Sequence, residues 1–547
     1  MFIVKNTSRS ASGKVYQSVL LRESYRVGKK VQKRTIANLS SCSEEVIQAI
    51  STALKNKGAK ISTSNRQVQL CQGRSIGSVY VLFTIAERLG IVNALGSSFH
   101  SRLALWLIIA RILEQGSRLS ATRLHSSYDI ASVLRLERGF DENNLYDCLH
   151  WVSQHQEQIE QSLFLKKNKT QKFYWYDVTS SYFEGCHNEL AAFGYDRDKK
   201  KRKRIIVVGL LCQDNGDPVS IEAFKGNTQD TQTFENQLIK LKNRFGCETI
   251  TIISDRGIIR EKQKKLIESY GFHYITALPM RQITPLLKAK VVIPEQFTSE
   301  LQSKFHKGRR YIYRRNPERA LETQKKRQER LDTAQKRVDQ ENAKLREKPK
   351  SSAYTVKRRT QSYLKRLCLH EWVSVKIKRR KLYLKIDEKA LKIKAKFDGC
   401  YIWTTDWSEE KINNREIYEL YKNLKYIEDD FRTFKTTFLE IRPIFVRSEE
   451  STRGHLVIVM LAHMIIRELR IAWEKFNKTV EEGLKELSLL CRQTIQFSDG
   501  HKIECIPTPI PQMSELLNAL KIKMPTTVEE IQVPVVTRRK VRKNASV

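Results

Sequence analysis

Long apolar runs are missing from this sequence. The longest, Leu456 to Ile466, is about half of the roughly 20 residues that a membrane-spanning helix needs, and it contains His463. This run therefore predicts a buried helix. The first ten residues, MFIVKNTSRS, also lack the apolar stretch and small-residue cleavage site of a secretory signal. We expect a protein that has no membrane association and stays in the cytoplasm.

Paired cysteine motifs are missing as well. The chain has 10 cysteines, but no two of them form a C-x-x-C pair. This scatter argues against a zinc ribbon and against a disulfide framework. We expect reduced, mostly structural thiols.

Acidic residues are too few to balance the basic ones. Asp and Glu total 60 against 99 Lys and Arg, which leaves a formal net charge of +39. Such an excess is far larger than solubility requires, and it points to a polyanionic partner. Because the cations are spread over the whole chain rather than concentrated on one amphipathic helix, nucleic acid fits better than a membrane surface.

Residues 171–280 carry an informative order of strand and helix patterns. The order β-β-β-α-β-α-β is typical of a ribonuclease-H-like plan, a mixed sheet with helices on both faces. In this plan the first strand lies beside the strand that follows the first helix. The resulting fold class is an α/β ribonuclease-H-like sheet with a helical N-terminal domain and a basic insertion that interrupts the sheet.

Six regions follow from the patterns along the chain. They are 1–70, a basic β-hairpin and linker; 71–170, a helical N-terminal domain that binds DNA ends or serves as a scaffold; 171–280, the first part of the core; 281–405, a basic insertion; 406–480, the second part of the core; and 481–547, a C-terminal region with a basic tail.

The insertion has two predicted parts. Residues 308–366 are dense in charge and poor in apolar side chains, which predicts a solvated helical arm or a flexible basic segment. Residues 371–403 return to strand alternation with Lys and Arg on one face, and a small basic sheet there would suit a phosphate backbone.

Two aspartates follow predicted buried strands. Asp177 comes after four aromatic residues, and Asp255 ends the run TITIISD before Arg256 and Gly257, where the glycine would let the chain turn sharply. Each alone is more often a turn or helix-cap aspartate. As a pair at equivalent strand ends, they become candidate metal ligands.

A third carboxylate, Glu428, lies on a helix predicted from about Asn413 to Phe438. Spacings of four and three give this helix a buried stripe that consists of Leu420, Leu424, Ile427, Phe431, Phe434 and Phe438. A second stripe consists of Tyr421, Lys425, Glu428, Arg432 and Lys435. Ordinary i, i+4 ion pairing on a solvated face would explain that second stripe equally well.

Phosphodiester chemistry makes the three carboxylates more specific. Two metal ions, about 3.5–4 Å apart, can activate the attacking oxygen and stabilise the leaving oxygen. Carboxylates supply the oxygen ligands that Mg²⁺ prefers, and Mn²⁺ can substitute for it. If Asp177, Asp255 and Glu428 meet in the fold, they would form a catalytic, metal-binding site with two ions; helix caps and ion pairs remain the alternative.

Several motifs resemble the DDE transposases of bacterial insertion sequences, in the group with a Y-x-x-R-x-x-x-E-x-x-x-x-x-x-K signature and a β-rich insertion. The motifs are YDVTSSYFE around Asp177, FGYDRD from Phe193, VVGLL from Val207, FKGNTQDTQTF from Phe224, SDRG around Asp255, FDGCYIWTTD from Phe397 and YKNLKYIEDDFRTFKTTFLEIRPIFV from Tyr421. The resemblance covers about residues 174–466.

The resemblance assigns the three catalytic carboxylates to Asp177, Asp255 and Glu428, and phosphate contacts to Tyr421 and Lys435. The signature arginine falls at Leu424, so Lys425 or Arg432 would supply that charge. Further implied properties are binding of terminal inverted repeats and target DNA, release of 3′-hydroxyls, strand transfer, a nucleoid-associated location and a complex of at least two protomers.

Three more residues are predicted DNA contacts. They are Arg197 in the FGYDRD motif, Arg256 after Asp255, and Asn227, which precedes a helix that Thr228 or Asp230 would cap. Trp403 or Trp407 would stack on a flipped base, unless both are buried. The alternatives to a transposase are a nuclease on the same fold, a transposase-derived protein that only binds DNA, and an RNA-binding protein.

Overall fold

The computed structural model describes residues 1–10, 13–28, 30–55, 68–167, 172–197, 202–213, 215–435, 439, 441, 444–497 and 501–536. The predicted basic tail after residue 536 and the side chain of Phe438 lie outside these residues.

The strands, in chain order, are β1 (Phe2–Arg9), β2 (Val15–Val27), β3 (Lys30–Asn38), β4 (Val68–Ser75), β5 (Phe140–Asp141), β6 (Phe173–Tyr182), β7 (Ile205–Gln213), β8 (Pro218–Lys225), β9 (Thr251–Ile253), β10 (His273–Ala277), β11 (Gln302–His306), β12 (Arg309–Arg315), β13 (Val373–Lys378), β14 (Lys381–Ile386), β15 (Cys400–Thr405), β16 (Cys491–Phe497), β17 (Lys502–Cys505) and β18 (Val535–Val536).

The α-helices, in chain order, are α1 (Glu44–Lys55), α2 (Gly77–Leu89), α3 (Ile91–Leu95), α4 (Phe99–Leu113), α5 (Arg118–Arg123), α6 (Ile130–Leu134), α7 (Glu142–Gln154), α8 (Gln156–Lys166), α9 (Asp230–Ile239), α10 (Glu261–Ser269), α11 (Met280–Lys288), α12 (Pro317–Glu347), α13 (Ala353–Arg366), α14 (Glu388–Ala395), α15 (Asn414–Lys422), α16 (Lys425–Lys435), α17 (Glu449–Trp473), α18 (Val480–Ser488) and α19 (Pro511–Ala519). Among the described residues, no helix is long and apolar enough to cross a membrane.

The chain forms two compact units. Residues 1–73 and 492–505 make the first, and residues 74–491 with the chain after 505 make the second. In the first unit, β2 and β3 form the predicted hairpin, and β1 pairs with the other edge of β2 to give a three-stranded meander. A second sheet in this unit has the order β17-β16-β4.

The second unit is built on an eight-stranded mixed sheet. Its order is β11-β12-β15-β10-β9-β6-β7-β8. Strands β6, β7 and β8 form an antiparallel meander, and β9 and β10 run parallel to β6. The predicted neighbours, β6 and the strand after the first helix, β9, are paired as expected.

The largest core lies between this sheet and α17. Ser448 caps α17 by accepting a hydrogen bond from the Ser451 N–H, and Glu449 and Glu450 complement the helix dipole. The run Leu456 to Ile466 is buried inside this helix, as predicted. Helices α2 to α8 pack into the same core, so they belong to the unit that contains the sheet and do not form a compact unit of their own.

The insertion is less separate from the core than its sequence suggested. Strands β12 and β15 pair with each other, and β15 pairs with β10, so that the insertion extends the main sheet. The helical alternative for residues 308–366 holds for α12 and α13 but is wrong for Arg309–Arg315, which form β12. These helices pack on the β13–β14 hairpin around a small core of their own, which includes Ala334, Val338 and Leu364.

The predicted strand pattern over 371–403 is wrong for its middle part. Residues Glu388–Ala395 form α14 instead. Asp387 caps this helix by accepting a hydrogen bond from the Ala390 N–H, and Ala, Leu and Lys are strong helix formers. The local cap and helix propensity therefore override the alternating pattern.

Candidate active site

Asp177 lies in the middle of β6 rather than at its end, contrary to the sequence-based prediction. The strand continues to Tyr182, and Asp177 is paired with Leu210 of β7. On the other edge, however, the pairing with β9 ends at Trp175 and Ile253. Asp177 therefore lies just beyond the point at which β6 loses one of its two neighbouring strands.

Asp255 follows the end of β9 by two residues. Ser254 holds this end against β6, because its hydroxyl donates to the Tyr176 carbonyl oxygen at 2.6 Å. The chain then turns, and the Ile258 N–H donates to the Asp255 carbonyl oxygen at 3.0 Å. The predicted turn at Gly257 is therefore present, although this glycine does not adopt a positive φ. A side chain there would instead stand 4.0 Å from the Asp255 carboxylate.

The register of β6 and β9 brings the two aspartates to the same level of the sheet. Trp175 is paired with Ile253, and Asp177 and Asp255 each follow by two residues. Burial raises the pKa of Asp177 from 3.8 to about 7; the Val178 N–H and Arg197 oppose this rise, and the charges of Asp255 and Glu428 add to it. The charges of the other two predicted carboxylates, Asp255 and Glu428, thus both reach Asp177.

Glu428 lies on a helix that is broken, where the sequence predicted a continuous one. The start is as predicted, since Asn413 caps α15 by accepting from the Glu416 N–H. Helix α15 ends at Lys422, and α16 begins at Lys425. Short i, i+3 bonds, from the Leu424 N–H to Tyr421 and from the Tyr426 N–H to Asn423, replace the regular ladder.

The break arises because both segments are held by different contacts. The Trp175 indole of β6 donates to the Leu420 carbonyl oxygen at 2.8 Å, which anchors the end of α15 to the strand that carries Asp177. Ile427, Phe431 and Phe434 bury α16 against the core. Glu428 remains exposed on the adjoining face of α16. The predicted second stripe therefore does not run along one helix.

Tyr421 contacts a carboxylate in this structure. Its hydroxyl donates to Asp255 Oδ1 at 3.2 Å. Burial and the neighbouring Asp255 raise the pKa of Tyr421, and Arg256 opposes this rise. The phenol therefore stays protonated, joins α15 to the loop after β9, and holds one of the two aspartates.

The predicted DNA-contacting cations differ in their surroundings. Lys425 is exposed, with its ammonium 5.3 Å from the centre of the Tyr426 ring. Arg432 is exposed and pairs with Asp429 at 3.0 Å, and Lys435 is partly buried. Arg256 is exposed beside Asp255. All four leave the region around the carboxylates rich in positive charge.

Arg197 and Asn227 lie near the start of α9. Arg197 pairs with Asp230 at 2.6 Å, and its charge also lowers the pKa of Asp177. Asn227 is exposed in the preceding turn. Neither Thr228 nor Asp230 caps the helix as expected, because Asp230 is the first helical residue and Gln232 accepts from the Gln229 N–H at 3.1 Å. The ion pair with Arg197 occupies Asp230 instead.

A second carboxylate on α16, Asp430, was missed in the sequence. It is buried, and its Oδ1 accepts from His463 Nε2 at 2.7 Å and from Arg467 at 3.3 Å. The Cys212 thiol of β7 donates to Oδ2 at 3.7 Å. Burial lowers the pKa of His463 although Asp430 opposes this. This cluster fixes α16 to α17 and β7, and so sets the position of the helix that carries Glu428.

A sequence signal for this cluster did exist. Asp430 is three residues after Ile427 and four before Phe434, so it falls on the apolar face of α16. His463 lies inside the longest apolar run. Because a buried charge needs partners, these two polar residues on apolar faces could have been predicted to meet.

The carboxylate oxygens of the candidate site suit a hard cation, but they are not arranged around a common point. Among the described residues, no group of three or more His, Cys, Asp or Glu side chains is arranged so that it could hold a metal ion. Burial raises the pKa of Asp177, the charges of Asp255 and Glu428 add to this rise, and a divalent cation would relieve the cost of the buried charge.

The two tryptophans are held within the fold. Trp403 is 4% exposed and packs edge-on against Tyr421. Trp407 is half-buried; its ring is tilted by 31° against that of His273, and its indole donates to the Thr251 hydroxyl at 2.8 Å. The alternative of two structural tryptophans is therefore the one that the geometry favours.

Comparison with known families agrees with these features. A family profile described as "Transposase DDE domain" matches residues 168–465, and one described as "IS1634 family transposase, N-terminal domain" matches residues 3–68. The chain belongs to the DDE transposases of insertion sequences. The transposase is thus a DNA-cleaving and DNA-transferring enzyme of a family whose chemistry depends on divalent metal ions.

Structural comparison adds a distant likeness. The transposase is similar to a chain of the piggyBac transposase synaptic complex with hairpin DNA, with a TM-score of 0.36 and 10% identity over 80% of this chain and 74% of the other. No curated protein matches the transposase sequence.

Proposed function

We propose that this transposase binds the inverted-repeat ends of its insertion sequence, cleaves them to release 3′-hydroxyls and joins these to target DNA. Asp177, Asp255 and Glu428 are the proposed catalytic residues. The observation that supports this assignment is the convergence of β6, β9 and the α15–α16 break, at which the charges of Asp255 and Glu428 both act on Asp177.

The strand order supports a ribonuclease-H-like catalytic core. An antiparallel meander, β8-β7-β6, continues into the parallel strands β9 and β10. The first carboxylate lies on the central strand of this arrangement and the second follows its parallel neighbour. In such open sheets, ligands bind beyond the carboxyl ends of parallel strands, which is where Asp255 lies.

The three carboxylates are the proposed ligands of two Mg²⁺ ions, which Mn²⁺ could replace. When bound, the ions would activate the attacking oxygen and stabilise the leaving oxygen of an in-line displacement. Asp177 must be ionised to act as a ligand, and its raised pKa couples this ionisation to cation binding. Tyr421 orients Asp255 through its hydroxyl, and the Asp430 cluster positions α16.

The DNA backbone is the proposed partner of the surrounding cations. Lys425, Arg432 and Arg256 are exposed and can reach phosphates. Lys435 lies on α16 with Arg432. Arg197 and Asn227 lie near the start of α9, and the ion pair with Asp230 holds Arg197 in place. Two protomers would bind the two ends of the element, which gives the complex of at least two copies that paired cleavage requires.

The decisive experiment is cleavage of the element's own end DNA with Mg²⁺ or Mn²⁺. Glu428→Gln should lower the cleavage rate on the order of 10²- to 10³-fold, as loss of one electrostatic stabiliser does in other enzymes. The matched control is Glu419→Gln, an exposed glutamate on α15, which should cut like the wild type.

Two outcomes would change the proposal. Cutting by Glu428→Gln at the wild-type rate would remove this residue from the active site. Cleavage without strand-transfer products from paired ends and a target plasmid would identify a nuclease instead of a transposase.

A further inference from the structure

The β13–β14 hairpin of the insertion presents one face on which every charged residue is basic. Val375 and Ile377 of β13, with Leu382 and Leu384 of β14, turn inward to the small core beneath the hairpin. The alternate positions turn outward, and they carry Lys376, Lys378, Lys381, Tyr383 and Lys385. The hairpin contains no Asp or Glu from residue 373 to 386. We call this outward surface, with the turn at 379–380, the hairpin face.

The cations at the turn of the hairpin face destabilise the hairpin locally. Lys378 and Lys381 are directly opposite each other across the strands, where like charges repel. The two residues between them, Arg379 and Arg380, have φ values of 49° and 65°. A two-residue turn of this kind favours Asn-Gly, because L side chains are strained at positive φ. Four successive cations thus occupy positions where other residues would fold more easily.

The tip of the hairpin is held rigidly on the end of α12. The Asn342 side chain accepts from the Leu382 N–H and donates to the Leu382 carbonyl oxygen, both at 2.8 Å. Arg380 donates to backbone carbonyl oxygens after the helix, including that of Ser351 at 2.8 Å. The exposed cations are therefore presented by a fixed scaffold and not by a free loop.

A cavity beside the turn has the same charge. Its volume is about 460 Å³, and it is lined by Asn342, Leu345, Arg346, Pro349, Arg379, Arg380 and Lys381. No carboxylate belongs to this lining. Four cations around one cavity form a surface that complements phosphate groups.

We propose that the hairpin face binds the phosphate backbone of double-stranded DNA, as a surface additional to the catalytic carboxylates. The inference rests on the proposed function, because it requires a DNA substrate. Backbone contacts of this kind supply affinity and orientation without reading base sequence. The hairpin face would thus hold DNA that passes the active site, whichever sequence it carries.

The test compares two variants that each lose four exposed lysines. The first is Lys376→Gln, Lys378→Gln, Lys381→Gln, Lys385→Gln, and the matched control is Lys475→Gln, Lys485→Gln, Lys521→Gln, Lys523→Gln. Binding of a fluorescein-labelled, mixed-sequence duplex is measured between about 50 and 200 mM salt. The hairpin variant should bind at least about tenfold more weakly than the control, and its salt slope should fall by about 0.9 per lost phosphate contact.

A single substitution separates binding from folding. Arg379→Asn removes one charge and relieves the strained turn, so its unfolding temperature should equal or exceed that of the wild type. Its DNA affinity should nevertheless fall about two- to threefold, with a smaller salt slope.

The outcomes distinguish this inference from the proposed function. Equal affinity and salt slope in the hairpin and control variants, or wild-type affinity in Arg379→Asn, would overturn the inference while metal-dependent cleavage by the wild type upholds the enzyme. A wild-type protein that neither binds nor cuts DNA would overturn the proposed function itself.

Discussion

Two carboxylates on α16, two residues apart, have opposite surroundings. Asp430 is buried among groups that balance it, namely His463, Arg467 and the Cys212 thiol. Glu428 is exposed, and its charge and that of Asp255 both raise the pKa of Asp177, so that the three form a group of like charges. In this balanced cluster the buried charge has partners, and the loss of one partner would leave the others unpaired inside the fold. The unbalanced group is costly until a cation binds, and this cost is what suits it to a metal-dependent reaction.

The largest effect should come from breaking the balanced cluster. Asp430→Ala leaves His463 and Arg467 without their shared acceptor inside the protein. We expect a loss of about 3–5 kcal/mol in the free energy of unfolding, measured by urea denaturation. Glu428→Ala is the matched comparison and should change that free energy by less than about 0.5 kcal/mol, because Glu428 is exposed. Similar losses for both would erase the contrast between the two clusters.

A divalent metal should stabilise the folded protein by binding to the unbalanced group of carboxylates. With Mn²⁺ at about 100 times its dissociation constant, the wild type should gain about 2.7 kcal/mol of unfolding free energy, which EDTA removes. Thermal denaturation at pH 8 provides the readout without any DNA. Asp255→Asn should lose most of this gain, whereas Asp429→Asn should retain it. An unchanged gain in Asp255→Asn would place the metal elsewhere.

Neutralising Asp177 should stabilise the metal-free protein in a pH-dependent way. Its folded pKa of about 7 exceeds the ordinary value of 3.8, so the ionised form opposes folding. That cost is absent below the ordinary pKa, grows as the pH rises, and is complete above the folded pKa. Asp177→Asn should therefore be about 1–3 kcal/mol more stable than the wild type at pH 8 in EDTA, and less so at pH 5.

Urea denaturation of both proteins at pH 5 and pH 8 measures this difference in stability. A wild type that is as stable as Asp177→Asn at pH 8 would show that the carboxylate is already balanced, and the two clusters would no longer differ.

The smallest effect should come from Tyr421→Phe. This change removes the hydrogen bond to Asp255 Oδ1 and leaves the ring against Trp403. We expect a cleavage rate about three- to tenfold lower, consistent with one neutral donor to a charged acceptor, and unchanged duplex affinity. A loss of affinity at a constant single-turnover rate would assign Tyr421 to the phosphate backbone instead.

Much of the core could be predicted from the amino-acid pattern. Strand alternation and the helix after β8 gave the pairing of β6 with β9, because crossover connections between parallel strands follow few topologies. The cap at Asn413 marked the start of α15 correctly, because a side-chain acceptor at a helix start is a local interaction.

The features that the sequence did not predict depend on contacts between distant parts of the chain. The break between α15 and α16 reflects the anchoring of Leu420 by Trp175, 245 residues away, and helix periodicity contains no trace of that bond. The burial of Asp430 against His463 likewise arises only when α16 packs on α17.

The sequence by itself therefore determined the charge, the family and the three acidic residues with their approximate elements. Only the tertiary structure decided that Asp177 lies where β9 ends beside it, that Tyr421 donates to Asp255, and that the insertion strands join the main sheet. The physical reason is the distance along the chain over which each interaction acts. Composition, periodicity and caps act over a few residues, whereas the pKa of a carboxylate and the partner of a hydroxyl are set by whichever groups the fold brings within a few ångströms.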